Sequence, residues 1–179
     1  GLRQGLELEG PAGRVVFRPN APAEAFADVD SPHPTGIEQS NVSIICGDSV
    51  ILKIYRRLRP GPQPEVEMAR FLTNETDFKG MPAFMGSIDH ETQDGECTVL
   101  ATAFSFVRNQ GDAWYALTSA LQRHLQDWEA LRTSATPETE QEPAFPRELE
   151  VGERLGRRTA ELHAALATPT EDADFAMEP

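Results

Sequence analysis

Asn41-Val-Ser-Ile-Ile-Cys-Gly-Asp-Ser-Val-Ile-Leu-Lys-Ile-Tyr55 is the stretch that decides the fold. Two β-rich runs, Asn41–Cys46 and Val50–Tyr55, flank Gly47-Asp48-Ser49, so the segment reads as a hairpin with a short turn. Lys53 stands in the middle of the second run. The chain carries only two lysines, Lys53 and Lys79, against 14 arginines. A strongly hydrated ammonium in an apolar strand is costly to bury, and in so arginine-rich a chain it is easily replaced. A flexible point charge on a strand is also a common way to hold a phosphate.

Working outward, Arg59-Pro-Gly-Pro-Gln-Pro64 is a loop whose last proline suits the first turn of a helix. Glu65–Glu75 reads as that helix, with Met68, Ala69, Phe71 and Leu72 on one apolar face. After the loop Lys79-Gly-Met-Pro82, Ala83–Asp89 and Glu96–Val107 read as strands around the turn signal Gln93-Asp94-Gly95. The order is β-β-α-β-β. Upstream, Arg14–Arg18 reads as a short strand, Pro22–Val29 as a short helix and Ser31–Gly36 as a loop. Downstream, Asp112 is the N-cap of a long helix in which Trp114, Leu117, Leu121, Leu125 and Trp128 form an expected core face. Residues 133–146 make an acidic, Pro-rich stretch that reads as a mobile loop. Arg147–Ala167 reads as another helix, where Gly152 and Gly156 would permit a close crossing. Thr168–Pro179 shows no pattern and is expected to end disordered or to lead into another element.

The net charge of −13 argues against nucleic acid or an anionic membrane as partner, because phosphate polymers demand a broad basic footprint. Lys53, Arg56, Arg57, Arg59 and Arg70 nevertheless cluster in sequence, which suits a nucleotide; arginines paired with nearby acids are an equally ordinary reading. No run approaches the length of a membrane-spanning helix, and no signal sequence opens the chain. Cys46 and Cys97, each in an apolar run and without short spacing, read as buried free thiols of a reducing compartment, expected to be the cytoplasm, with a disulfide between them the less favoured alternative.

A lysine on the second strand and Glu67 on the following helix match the ion pair with which protein-kinase-like N-lobes orient ATP. Taken alone the pattern is more often that of a half-exposed sheet lysine. No Gly-rich loop precedes the hairpin. Glu38-Gln-Ser-Asn41 stands there instead, four polar residues able to donate to phosphates, or simply a loop entering a strand. His33, His90, His124 and His163 have no metal-ligand spacing. His124 and Asp127 lie within an amphipathic helix rather than in a catalytic loop.

Several further segments fall in a recognisable order: Glu38–Ser43, Gly47–Arg57, Pro60-Gly61 with Pro64–Glu67, Arg70–Thr73, Phe106–Trp114, Leu155–His163 and Ala167–Asp172. Together they resemble the bacterial maltokinases, many of which are fused behind trehalose synthase. The resemblance implies an α+β fold, with an aminoglycoside-phosphotransferase-like N-lobe built of an antiparallel sheet and one helix, followed by the helices of an intermediate region. It implies transfer of the γ-phosphate of ATP, with Mg²⁺, to the anomeric hydroxyl of maltose. Lys53 matches the nucleotide-binding lysine and Glu67 its helix partner. Gln39, Ser40 and Asn41 match the loop over the phosphates, and the hinge runs from Phe104 to Val107 through Phe106. Trehalose synthase is implied as fusion or partner. Ala113 stands where the family usually has glycine.

The expected organisation is a cap remnant at 1–36, an N-lobe at 37–108 and a helical region at 109–179. No catalytic residue and no metal ligand is assigned within the chain, since both belong to a C-lobe that the sequence does not include. Two other readings remain open. One is a non-catalytic N-lobe-like interaction module, favoured by a native polypeptide ending near Pro179. The other is a kinase acting on glucosamine, another sugar or an aminoglycoside.

Overall fold

The two β-rich runs of the opening stretch do form a hairpin. In the computed structural model, which describes residues 1–27, 29, 31–35, 41–134, 145–172 and 174–176, β4 (Asn41–Cys46) and β5 (Val50–Tyr55) pair antiparallel. Gly47 takes the left-handed φ of 57° that the turn needs. Then come α1 (Pro64–Asn74), β6 (Phe84–Glu91) and β7 (Cys97–Ser105), in the order the sequence predicts. β7 lies between β5 and β6, so the four strands form one antiparallel block.

The N-terminal segment extends this sheet. β2 (Gly13–Pro19) pairs with β6, and β1 (Glu7–Gly10) is the strand beyond it. β3 (His33–Pro34), two residues within the expected loop, pairs with β4. The sheet therefore has seven antiparallel strands in the order β1-β2-β6-β7-β5-β4-β3. β1 is exposed along its length and carries Glu7 and Glu9, charges that suit an edge. The expected short helix is a 3-10 turn at Ala23–Phe26.

Each face of the sheet has its own cover. On one, Phe26, Val50, Met85 and Ala103 are buried with Leu2 and Leu52 packed against them, so the N-terminal segment closes that side. On the other, Val66 and Ala69 of α1 pack on Phe84, with Val99 and Phe104 beside them. A polar row crosses this second face in register: Ser43 opposite Lys53, Lys53 opposite Thr102, Thr102 opposite Ser87, Ser87 opposite Arg18. Ser43, Thr102 and Ser87 are buried. Cys46 and Cys97 are free but only half-buried, and burial pushes both thiols up, away from the reactive thiolate.

The chain divides into two compact units, Gly1–Arg108 with Ala164–Pro179, and Asn109–His163. Within the first, the described part of the tail is ordered against the helix: Phe175 stacks on Phe71 of α1 with centroids 4.2 Å apart and planes 6° from parallel. The sequence shows no pattern there because one aromatic contact needs none. Phe71→Ala is expected to destabilise the fold by about 3–5 kcal/mol, since the ring is buried, and half-buried Phe175→Ala by less. Urea unfolding of the two variants checks this order.

In the second unit, α2 (Ala113–Ser134) begins as the sequence indicates, the Tyr115 amide donating to the Asp112 carboxylate at 2.7 Å. Its expected core face is mostly uncovered: Trp114 is 79% exposed and Leu125 50%. Helical periodicity identifies a face suited to burial but not what buries it. In α3 (Pro146–Leu166), a Cβ at Gly152 or Gly156 would meet open space, so neither marks the expected close crossing. No described helix is long and apolar enough to cross a membrane.

Candidate functional site

Lys53 sits on β5 with its side chain on the α1 face of the sheet, between Ser43 and Thr102. Strand pairing on both sides fixes its backbone, so the position of the ammonium depends on what holds its flexible stem. That partner is Glu65. The Nζ donates to Oε1 at 2.8 Å and to Oε2 at 3.0 Å. The lysine and glutamate side chains are 28% and 35% exposed, so the pair is neither a solvated surface contact nor a fully buried one.

The partner differs from the expected Glu67. α1 starts at Pro64, which places Glu65 in its first turn, where a carboxylate is also favoured by the helix dipole. Two residues on a helix turn through about 200°, so Glu65 and Glu67 cannot both face one lysine. Glu65 stands three, four and seven residues before Met68, Ala69 and Leu72, on the same stripe, and all four line one cavity. That spacing was the signal in the sequence that identifies Glu65.

The cavity has a volume of about 370 Å³. Its walls are mainly apolar, with Ile51, Met68, Leu72, Met81 and Phe104 among them, and Ser43, Lys53 and Glu65 supply its polar groups. A small-ligand site commonly has this form, a hydrophobic cleft with a few convergent polar groups. An apolar flat ring bearing an anionic tail is the chemistry such walls and such a cation accommodate together.

Of the remaining residues singled out in the sequence, Phe104 lines this cavity near the end of β7. Phe106 follows the strand, and its amide donates to the Ser49 carbonyl at 2.8 Å, so this amide is engaged within the protein. Val107 is 55% exposed. Asn41 opens β4 opposite Tyr55. Gln39 and Ser40 lie outside the described residues. Among the described residues no three His, Cys, Asp or Glu side chains converge as a metal site.

Tyr55 is the residue the sequence reading left out. Two positions after Lys53 on one strand, it shares the lysine's face. Its hydroxyl donates to Glu65 Oε2 at 2.6 Å and lies 3.3 Å from Thr102 Oγ1. Burial first, and then the hydrogen bond to the Glu65 carboxylate, push the phenol far above the ordinary tyrosine value of 10.0. The folded state thus retains a proton that the unfolded chain loses near pH 10. The associated stability is fully present below that pH and falls as pH rises above it. Unfolding free energies measured from pH 9 upward are expected to decline less steeply in Tyr55→Phe than in the wild type.

No family model matches the chain. Glucosamine kinase from Mycolicibacterium smegmatis is 29% identical over 143 residues, covering 80% of this chain and 32% of that protein. The chain is thus a distant homologue of a sugar kinase and spans about a third of the length of this curated relative. A solved glucosamine kinase structure (crystal form B) aligns over 90% of this chain and 43% of its own, with 19% identity and a TM-score of 0.42.

Proposed function

We propose that this chain forms the nucleotide-binding part of an ATP-dependent sugar kinase that phosphorylates the anomeric hydroxyl of maltose. The observation that carries the proposal is the bidentate Lys53–Glu65 pair at an apolar cavity between the sheet and α1. In this reading Glu65 holds Lys53 extended, and the ammonium neutralises the nucleotide's phosphates as a point charge. Phe104, Ile51 and Met68 supply an apolar wall for the base, and the β4–β5 hairpin, with Asn41, lies over the phosphates.

In the transfer, the sugar hydroxyl oxygen bonds to the γ-phosphorus as the bond to the β–γ bridging oxygen breaks. The hydroxyl proton passes to a base. We place that base and the groups that hold Mg²⁺ in polypeptide beyond this chain, along with most of the sugar site. The products are maltose 1-phosphate and ADP. The same reading keeps the protein in the cytoplasm and trehalose synthase as its fusion or partner.

Maltose is supported by the ordered maltokinase-like motifs from Glu38 to Asp172. A second acceptor, glucosamine, is favoured by the similarity to the Mycolicibacterium smegmatis protein. The test is ATP-dependent phosphorylation by the native polypeptide that contains this chain, with maltose and glucosamine supplied separately. Maltose 1-phosphate is the expected product. Phosphorylation of glucosamine alone would move the acceptor assignment, and no ATP consumption with any sugar would favour a non-catalytic module.

A further inference from the structure

We propose that Tyr55 is a positioning residue of the nucleotide site: its hydroxyl fixes the Glu65 carboxylate so that Lys53 is presented to the nucleotide in one geometry. The inference rests on the nucleotide reading of Lys53, which the experiment below tests separately.

Glu65 reaches the lysine from the first turn of a helix, and its side chain has freedom about three torsions. The lysine has four. An ion pair between two such chains, each about a third exposed, loses much of its Coulomb gain to solvent and to ordering. A bond from a stiff side chain on a paired strand removes part of that freedom. Tyr55 has a rigid ring and only two torsions, and its backbone is paired with Asn41 of β4. Its hydroxyl meets Glu65 Oε2, the same oxygen that Lys53 approaches at 3.0 Å.

The hydroxyl is itself located. Thr102 Oγ1 lies 3.3 Å away on β7, and Thr102 is fully buried directly across from Lys53. The lysine and the tyrosine thus meet one carboxylate from the same strand, and the neighbouring strand braces the tyrosine. The ammonium also lies 5.9 Å from the centroid of the Tyr55 ring, within reach of its π face. Phenylalanine at this position retains the ring and that contact and removes only the donor.

The test is a double-mutant cycle read by ATP affinity in the native polypeptide, using Tyr55→Phe, Glu65→Gln and the pair. Loss of a hydrogen bond to a charged group predicts about a tenfold weaker affinity for Tyr55→Phe. Because the residue acts through Glu65, the same substitution is expected to change little once Glu65 is glutamine. In turnover, KM for ATP should rise while KM for the sugar stays constant. A Tyr55→Phe variant with unchanged ATP affinity, or one equally weakened in both backgrounds, would overturn the proposal. Lys53→Ala run in parallel separates the levels. If it leaves ATP affinity intact, the nucleotide reading fails and the role of Tyr55 fails with it. If it weakens binding and Tyr55→Phe does not, the tyrosine proposal fails alone.

Discussion

Replacing Lys53 with alanine is expected to lower ATP-dependent turnover of the native polypeptide by at least two to three orders of magnitude while the fold survives. Removing one preorganised charge-stabilising donor from a reacting centre typically costs about 10²–10³ in rate. Among the residues lining the cavity the lysine is the only cation. Stability should change much less. The pair is partly exposed, so its loss falls nearer the roughly 0–1 kcal/mol of an exposed ion pair than the 3–5 of a buried one. Glu65 also retains the Tyr55 hydroxyl as a donor when the lysine is gone. Circular dichroism and thermal unfolding alongside the kinetics separate the two effects. A Lys53→Ala variant that turns over normally would remove this residue from the nucleotide site.

The second large effect distinguishes two acids on one helix. Glu65→Gln is expected to reduce turnover by about 10²-fold, because the amide can still reach Lys53 but no longer supplies the charge that holds an ammonium extended. Glu67→Gln is expected to leave turnover within about twofold, the two positions lying on different sides of α1. The contrast is informative because both changes are isosteric and both sit near the helix N-terminus. Any loss of helix-dipole stabilisation is therefore similar, a few tenths to about 1 kcal/mol for each. The reverse order of effects would return the pairing to Glu67 and contradict the geometry described above.

Much of the first unit was legible in the sequence. Val42 and Ile44 on one run and Leu52 and Ile54 on the next share one face, with Gly47 between the runs, and specify the hairpin through side-chain period and turn chemistry. The isolated Lys53 within Val50–Tyr55 pointed to the candidate site because an ammonium in an apolar run needs a partner. Its partner was legible too, but in the periodicity of α1 rather than in the spacing of lysine to glutamate. Met68, Ala69 and Leu72 define a stripe, and Glu65 lies on it.

Other features had little to be read from. β1 consists of exposed residues with Glu7 and Glu9 at its edge, so no buried face imprints an alternation on it. The contact between Phe71 and Phe175 spans most of the chain and leaves no local pattern. Tyr55 looked like an ordinary strand aromatic, because nothing in a sequence says which carboxylate a phenol will meet. The apolar face of α2 was visible as a face, but Trp114 and Leu125 remain exposed, since periodicity does not name its cover.

The most direct measurement is the rate at which Lys53 is acylated by a lysine-selective reagent, with and without ATP, followed by peptide mass mapping of the native polypeptide. This chain has only Lys53 and Lys79 to distinguish. Millimolar ATP is expected to slow modification of Lys53 several-fold and to leave Lys79 unchanged, because phosphates bound to the Lys53 ammonium shield it from the reagent. Equal rates at Lys53 with and without saturating ATP would contradict the account.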